Sequence, residues 1–239
     1  MSDARLQNSS DSAVNGPDPA VSGPAHADSE EFGRPGWAVV IPVKPAARGK
    51  SRLAIPGVDR QALARAIALD TIAAVAACEV VRQVVVVGDD GGLALEAAGI
   101  RGLRFVPEPS PGGLNPAIAA GVAAVDERTP RAALLGDLPA LRPADLAAAL
   151  REARGLARAV VADADGTGTT LLTAAPAIPW TSAFGEGSFA KHLALGAAAL
   201  SVTDASTLRH DVDTVAQLDA ARALGLGPRT AALLAAHPA

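Results

Sequence analysis

Four consecutive valines within RQVVVVG (82–88) constrain the fold of this 239-residue chain more than any other feature. A strand with one face in water alternates apolar and polar side chains, whereas an unbroken apolar run suits a strand covered on both faces. Parallel sheets that lie between helices provide that cover. The run therefore predicts an α/β domain with a mixed, mostly parallel sheet and helices on both faces.

The rest of the chain alternates as such a domain requires. Short β-branched runs predict further strands at 37–43, 103–106, 131–136, 158–163, 169–174 and 198–203. Alanine-rich runs with helical spacing predict helices at 59–78, 115–126, 143–154, 188–197 and 214–224, the first with Asp59 as its N-cap. Because ligands of open α/β sheets bind at the carboxyl ends of strands, we expect the functional site in the loops there.

The first 35 residues differ in composition from the rest. They are rich in Ser, Asp, Gly, Pro and Ala and show no apolar periodicity, so we predict a disordered tail at 1–35 and one folded domain at 36–239. A net charge of −4, with four Phe, two Trp and no Tyr, argues against nucleic acid as a partner. No run predicts a signal peptide or a membrane span, and we expect a cytoplasmic protein.

A cationic loop, PVKPAARGKSR (42–52), follows the first predicted strand. It places four positive charges in nine residues, at Lys44, Arg48, Lys50 and Arg52. The Gly-Lys-Ser within it does not complete a P-loop, because that motif needs a glycine at the position of Lys44. The loop therefore predicts an anion site that binds phosphate through side-chain cations, with a solvated turn as the alternative.

Two acidic motifs predict a metal site. Asp137 of GDLP follows a buried strand, and Asp211 and Asp213 of RHDVDT are spaced so that strand-like alternation directs both to one side. Carboxylates bind hard cations such as Mg²⁺, and the four scattered histidines lack zinc spacing. The alternatives are a turn or N-cap role for Asp137 and a helix cap for Asp213.

Two further glycine-rich segments predict contacts with small ligands. In FGEGSFAKH (184–192) two glycines and Ser188 precede a helix, an arrangement whose free N–H groups suit an anion, although Ser188 could be an ordinary N-cap. Glu186 is an acid inside this predicted pocket. In EPSPGGLNPAIAAG (108–121), backbone amides and Asn115 could bind a base or ribose, and capping is equally compatible.

Together these segments resemble a known family. The ordered motifs are IPVK-x5-KSRL, VVVVGDD, GGLNPAI, LLGDLPAL, DGTGTT, FGEGSFAKH and RHDVDT. In this order they resemble the phosphoenolpyruvate/2-phospho-L-lactate guanylyltransferases of coenzyme F-420 biosynthesis, from about Trp37 to Leu226. The resemblance implies a nucleotidyltransferase fold of the glycosyltransferase-A-like kind, with one central sheet between helices.

The resemblance also implies a role for each motif. Phosphoenolpyruvate would bind at Thr170, Gly185 and Ser188. Mg²⁺ would bind at Asp137, Asp211 and Asp213. The GTP phosphates would lie along Lys44, Lys50 and Arg52, and the nucleoside would lie near Gly113 and Asn115.

The expected reaction joins GMP from GTP to the phosphate of phosphoenolpyruvate or 2-phospho-L-lactate and releases pyrophosphate. A substrate phosphate that is mostly a dianion at neutral pH can attack without a protein base, since its second pKa is about 6. The sequence leaves open 3-phosphoglycerate as acceptor, a molybdopterin or sugar-phosphate nucleotidyltransferase, and a non-catalytic nucleotide-binding regulator.

Overall fold

A computed structural model of the protein describes residues 36–43, 53–100, 102–110 and 112–237. Within these residues seven strands form one sheet: β1 (Trp37–Pro42), β2 (Val81–Val87), β3 (Leu103–Val106), β4 (Arg131–Leu134), β5 (Arg158–Ala162), β6 (Thr169–Ala174) and β7 (Ala198–Ala199). The strand order is β3-β2-β1-β4-β6-β5-β7. Only β6 pairs antiparallel to its neighbours, which confirms the predicted mixed, mostly parallel sheet.

The helices alternate with the strands. They are α1 (Arg60–Ala76), α2 (Gly91–Glu96), α3 (Leu114–Ala123), α4 (Pro143–Glu152), α5 (Ser188–Ala194), α6 (Val215–Leu224) and α7 (Pro228–Ala235). A short 3-10 helix spans Thr207–Arg209. Asp59 caps α1 as predicted, because its carboxylate accepts the Gln61 N–H at 2.9 Å. Among the described residues, no helix has the length and apolar character that a membrane span needs.

Both faces of the sheet are covered, as the valine run predicts. Val84 and Val86 belong to the apolar cluster that includes side chains of α1 and α4. Val85 and Val87 belong to a second cluster with side chains of α3. All four are at most 1% exposed. The three-layer α/β domain is therefore confirmed, with α1 and α4 on one face and α3 on the other.

The predicted strand at 198–203 is wrong beyond its first two residues. Ala198 and Ala199 pair with β5, and the Leu200 N–H still donates to the Val160 carbonyl at 3.0 Å, but the N–H groups of the next two residues find other acceptors. Ser201 N–H donates to a carboxylate oxygen of Glu152 at 2.9 Å, and Val202 N–H donates to the carbonyl of Leu200. The ladder ends because side-chain and local backbone acceptors replace a strand partner.

Candidate active site

A cavity of about 380 Å³ lies where β1, β4 and β5 end and β6 begins. Pro42 and Val43 line it from the end of β1, and Gly136 lines it from the loop after β4. Several of the predicted site residues line this one cavity: Asp137, Gly185, Ser188, Asp211 and Asp213. Residues far apart in the sequence therefore meet at the end of the sheet where ligands bind in this class of fold.

Asp137 is held in place through its backbone. Its carbonyl oxygen accepts the Val212 N–H at 3.0 Å, which joins the loop after β4 to the segment that carries the other two aspartates. The next N–H, of Leu138, donates to Thr71 Oγ1 at 3.1 Å, and that hydroxyl donates to the Ile67 carbonyl at 2.9 Å. Because Thr71 is fully buried in α1, it fixes the loop against the core.

The three predicted metal ligands lie together. Val212 is fully buried, while its neighbours Asp211 and Asp213 are half-buried and exposed, so the anchored valine separates two acids that line the cavity. One carboxylate oxygen each from Asp137, Asp211 and Asp213 lies within 4.8 Å of the other two. A single cation could contact all three, because typical metal-to-oxygen distances are about 2.0–2.6 Å.

The capping alternatives do not describe these aspartates. Thr214 is the N-cap of α6, because its Oγ1 accepts the Gln217 N–H at 3.3 Å. In turn, Gln217 Oε1 accepts the Thr214 N–H at 3.0 Å. Asp213 lies one residue before that cap. After Asp137 the next helix is α4, whose N-cap is Arg142. Both acids are therefore placed by the loops around the cavity.

Burial and the closely spaced acids of the site together raise the pKa of one of these aspartates. Burial raises the pKa of Asp211 to about 7, and the nearby carboxylates of Asp137, Asp163 and Asp213 add to that rise. Like charges in a partly desolvated site disfavour full ionisation unless a cation is added. The donor set consists of carboxylate oxygens, the ligands of hard divalent cations. The residues present therefore fit a divalent metal ion.

Asp163 is a fourth acid at the cavity, and the sequence analysis did not assign it to the site. Its two oxygens accept the N–H groups of Thr167 and Gly168 at 2.9 and 2.8 Å, so it closes the turn between β5 and β6. Arg209 donates to the Asp163 carbonyl and ties that turn to the 3-10 helix. The sequence could have indicated Asp163, because it follows a buried strand in the same way as Asp137.

The segment 183–188 forms the wall of the cavity near β6; we call it the acceptor loop, after the ligand that the family resemblance implies for it. Gly185 and Gly187 have φ angles of 125° and 64°, in the region that favours glycine, and Gly187 is the N-cap of α5. Ser188 is therefore the first helical residue and not the N-cap. It is 1% exposed and lines the cavity, as does the exposed Glu186. An acidic side chain thus lies at the rim of the predicted anion pocket.

His192 holds the acceptor loop from behind, a contact that the sequence analysis missed. The imidazole is 1% exposed; its Nε2 accepts the Ala183 N–H at 2.9 Å and its Nδ1 lies 3.0 Å from Thr169 Oγ1. Its ring also meets the Phe184 ring edge to face, with centroids 4.9 Å apart. Burial, and secondarily the charge of Lys191, lower the pKa of His192 to about 4. The ring is neutral at physiological pH, with its proton on Nδ1.

Asn115 holds the same loop from α3. Its Nδ2 donates to the Phe184 carbonyl at 2.9 Å, and its Oδ1 accepts the Phe184 N–H at 2.9 Å and the Ser182 hydroxyl at 3.2 Å. Asn115 thus braces the acceptor loop, and it does not cap α3, whose N-cap is Gly113. The contact joins residues 69 positions apart, which no local sequence pattern encodes.

The remaining predicted residues are placed as follows. Thr170 is fully buried in β6, its hydroxyl has no hydrogen-bond partner among the described residues, and its neighbour Thr169 lines the cavity instead. Gly113 lies beside the cavity, and its N–H donates to Glu108 Oε1 at 3.1 Å. The cations of the loop lie outside the described residues: Lys44, Arg48, Lys50 and Arg52.

Comparison with known proteins agrees with this geometry. Residues 37–227 match the family model described as "Guanylyl transferase CofC like". A phosphoenolpyruvate guanylyltransferase of Thermomonospora curvata is 51% identical over 207 residues, which cover 85% of this chain and 90% of the relative. A protein of the same name from Salinispora arenicola is 50% identical over 201 residues, which cover 82% and 92% of the two chains.

Solved structures share the fold. A nucleotidyl transferase from Methanothermobacter superposes with a TM-score of 0.55 at 20% identity, over 80% of this chain and 98% of the other. The 4-diphosphocytidyl-2C-methyl-D-erythritol synthase of Anaerococcus prevotii gives a TM-score of 0.53 at 12% identity, over 79% and 97%. The fold is that of the nucleotidyltransferases, as predicted. By its family match and its relatives, the chain belongs to the CofC-like guanylyl transferases.

Proposed function

We propose that this protein is a phosphoenolpyruvate guanylyltransferase. It joins GMP from GTP to the phosphate of phosphoenolpyruvate and releases pyrophosphate, and the product, enolpyruvoyl-2-diphospho-5'-guanosine, serves coenzyme F-420 biosynthesis. Two relatives that are about 50% identical to this protein over most of its chain are named phosphoenolpyruvate guanylyltransferase. Their shared name favours phosphoenolpyruvate over 2-phospho-L-lactate and 3-phosphoglycerate as acceptor. A cytoplasmic location remains a prediction from the sequence.

One observation supports the proposal more than any other: Asp137, Asp211 and Asp213, which we call the aspartate cluster, line the same cavity as the acceptor loop. A transferase of this kind must bring two phosphate-bearing substrates together, although their like charges repel each other. Acids that hold a divalent cation on one wall, and the glycines and Ser188 of the other wall, provide two adjoining sites for them. Proximity of two bound reactants is itself a large part of catalysis.

The metal site would consist of Asp137, Asp211 and Asp213, which we propose to bind Mg²⁺. When bound, Mg²⁺ supplies positive charge that offsets the phosphates and the leaving pyrophosphate. The chain contributes the positions of the three carboxylates, through the Val212 hydrogen bond and the Thr71 anchor. We further propose that Lys44, Lys50 and Arg52 bind the GTP phosphates, as the resemblance to the family implies.

The reaction needs no protein nucleophile. A phosphate oxygen of the acceptor forms a bond to the α-phosphorus of GTP while the bond from that phosphorus to the β-phosphate oxygen breaks. The electron pair of the broken bond leaves with pyrophosphate. The acceptor is mostly a dianion at neutral pH, so no proton must be removed first. The protein binds, orients and screens the two anions.

Pyrophosphate release tests the proposal. Purified protein with GTP, phosphoenolpyruvate and Mg²⁺ is expected to release pyrophosphate, and Asp137→Ala or Asp211→Ala should remove most of this activity while the fold is retained. Asp219→Ala is the matched control, because this aspartate lies on the exposed side of α6 with its side chain 61% accessible. Full turnover in both site variants would place the metal elsewhere, and no release with any of the three acceptors would refute the proposal.

A further inference from the structure

We propose that Glu108 selects guanine by accepting hydrogen bonds from the N1–H and the 2-amino group of the base. This inference rests on the proposed function, because it assigns the base-binding part of the same nucleotide site. Glu108 opens the segment EPSPGGLNPAIAAG, but neither the sequence motifs nor the family resemblance assigned it a role.

Glu108 lies in a hollow beside the main cavity. The hollow is shallow, with about 10 Å³ of enclosed space, so a base would lie across it and not inside it. Pro42, Val43 and Leu114 line both the hollow and the cavity, so the two adjoin. A nucleotide with its phosphates at the cavity can therefore reach the hollow with its base.

The described lining of the hollow is apolar except for one side chain. Val43, Val87, Leu114 and Ala117 offer a surface for the flat face of a base, and Glu108 is the only titratable residue among the described lining. Small-molecule sites commonly combine an apolar surface with a few placed polar groups that fix specificity. In this hollow the carboxylate is that group.

The carboxylate is held in position before any ligand arrives. Its Oε1 accepts the Gly113 N–H at 3.1 Å, and the Glu108 backbone N–H donates to Asp89 Oδ1 at 3.0 Å. A Cβ at Gly112 would lie 2.6 Å from Glu108 Oε1, so glycine there leaves room for the carboxylate. A prolyl residue on each side, Pro107 and Pro109, further restricts the backbone.

The other groups predicted near the nucleoside are already engaged. The Gly113 N–H is donated to Glu108 itself, and the Asn115 amide is bonded on both sides to the backbone of Phe184. A carboxylate has about four lone-pair positions, and the Gly113 contact uses one. Glu108 therefore keeps acceptor capacity for a base.

Acceptor-only chemistry distinguishes the bases. Guanine presents two adjacent donors, N1–H and the 2-amino group, to which a carboxylate can bind with both oxygens. Adenine and cytosine place a ring acceptor beside their amino group, and uracil places carbonyl oxygens on both sides of its N–H. A site built to accept hydrogen bonds rejects a ligand that cannot donate them, because its buried polar group stays unpaired.

Replacement of Glu108 by Gln is expected to weaken the binding of one nucleotide and to strengthen the binding of another. The amide keeps one oxygen for the Gly113 N–H but turns the other position into a donor, which opposes the 2-amino group of guanine. Xanthine carries a carbonyl oxygen at that position and would accept this donor. We expect Glu108→Gln to weaken GTP binding about 10- to 100-fold and to strengthen XTP binding, while ITP binds the wild type several-fold more weakly than GTP.

The measurement is equilibrium binding of GTP, ITP and XTP to the full chain by calorimetry with Mg²⁺. Glu152→Gln is the matched control: Glu152 also accepts a backbone N–H, from Ser201 at 2.9 Å, but lines neither the hollow nor the cavity. An unchanged XTP-to-GTP ratio in Glu108→Gln, or an equal loss for all three nucleotides, overturns the inference. Pyrophosphate release is measured separately, so an inactive protein that shows the switch contradicts only the proposed function.

Discussion

Protonation of His192 is expected to destabilise the protein below pH 6.5. The neutral ring accepts the Ala183 N–H at Nε2, so a proton added there would break that bond and bury a cation beside Lys191. The pKa of His192 is lowered by burial to about 4 from an ordinary value of 6.5. At 1.36 kcal/mol per pKa unit, this difference corresponds to about 3 kcal/mol. The ring is nearly inaccessible, so solvent does not discount that figure much.

The sign follows from which state binds the proton. Between pH 6.5 and about 4 the unfolded chain protonates this histidine and the folded chain does not, so the free energy of unfolding falls as the pH falls. The stabilisation is complete above pH 6.5 and is lost by about pH 4. His192→Gln removes the titrating group and should lack this component.

Urea denaturation at several pH values from 8 to 3.5 measures the effect. The difference between wild type and His192→Gln isolates one group, because the other acids titrate in both proteins. The predicted difference changes by about 3 kcal/mol between pH 6.5 and 4. We also expect a raised KM for phosphoenolpyruvate with a smaller change in kcat, since the ring positions the acceptor loop. A pH-independent stability difference would refute the neutral, buried histidine.

Three further substitutions test the framework around the site. Asp70→Ala should lower the free energy of unfolding by about 2–4 kcal/mol in urea, because the buried carboxylate accepts two N–H groups at the start of α7, one from Thr230 at 2.8 Å; unchanged stability would contradict this. Thr71→Val should lower the free energy of unfolding by about 1–3 kcal/mol, because the Leu138 N–H loses its acceptor, and should lower kcat. An unchanged kcat would show that this contact does not position the metal site. Gly121→Ala should lower the melting temperature, because its Cβ would lie 2.4 Å from a valine methyl carbon; an unchanged melting temperature would contradict this.

Local patterns predicted most of the framework. An apolar run such as VVVV depends on burial of both faces, and the alternation of Val84 and Val86 with Val85 and Val87 between two clusters follows directly from the period of a strand. The aspartates were also predictable: Asp137 follows a buried strand at the ligand-binding end of the sheet, and the alternate spacing of Asp211 and Asp213 suggests that both face one side. Asp163 follows a buried strand in the same way as Asp137 and could have been included.

Long-range contacts explain what the sequence could not provide. The braces of the acceptor loop, at Asn115 and His192, join segments that only the finished fold brings together. The antiparallel direction of β6 depends on its pairing with β4 and β5, and its own sequence does not encode that direction. Helices α2 and α7 were missed, since six and eight residues give few turns for an apolar period; α5 is as short but was predicted, with two glycines and a serine before it.

The most direct measurement identifies the product. Phosphorus NMR would monitor a reaction of the protein with GTP, phosphoenolpyruvate and Mg²⁺. The account predicts loss of the phosphoenolpyruvate signal, equal formation of free pyrophosphate, and two coupled resonances of a mixed diphosphate between GMP and the acceptor. An Asp211→Ala sample should show none of these changes. Unchanged phosphoenolpyruvate, or GTP converted to GDP and inorganic phosphate, would contradict the account. It proposes that GMP is transferred to phosphoenolpyruvate in the cavity that the aspartate cluster and the acceptor loop line.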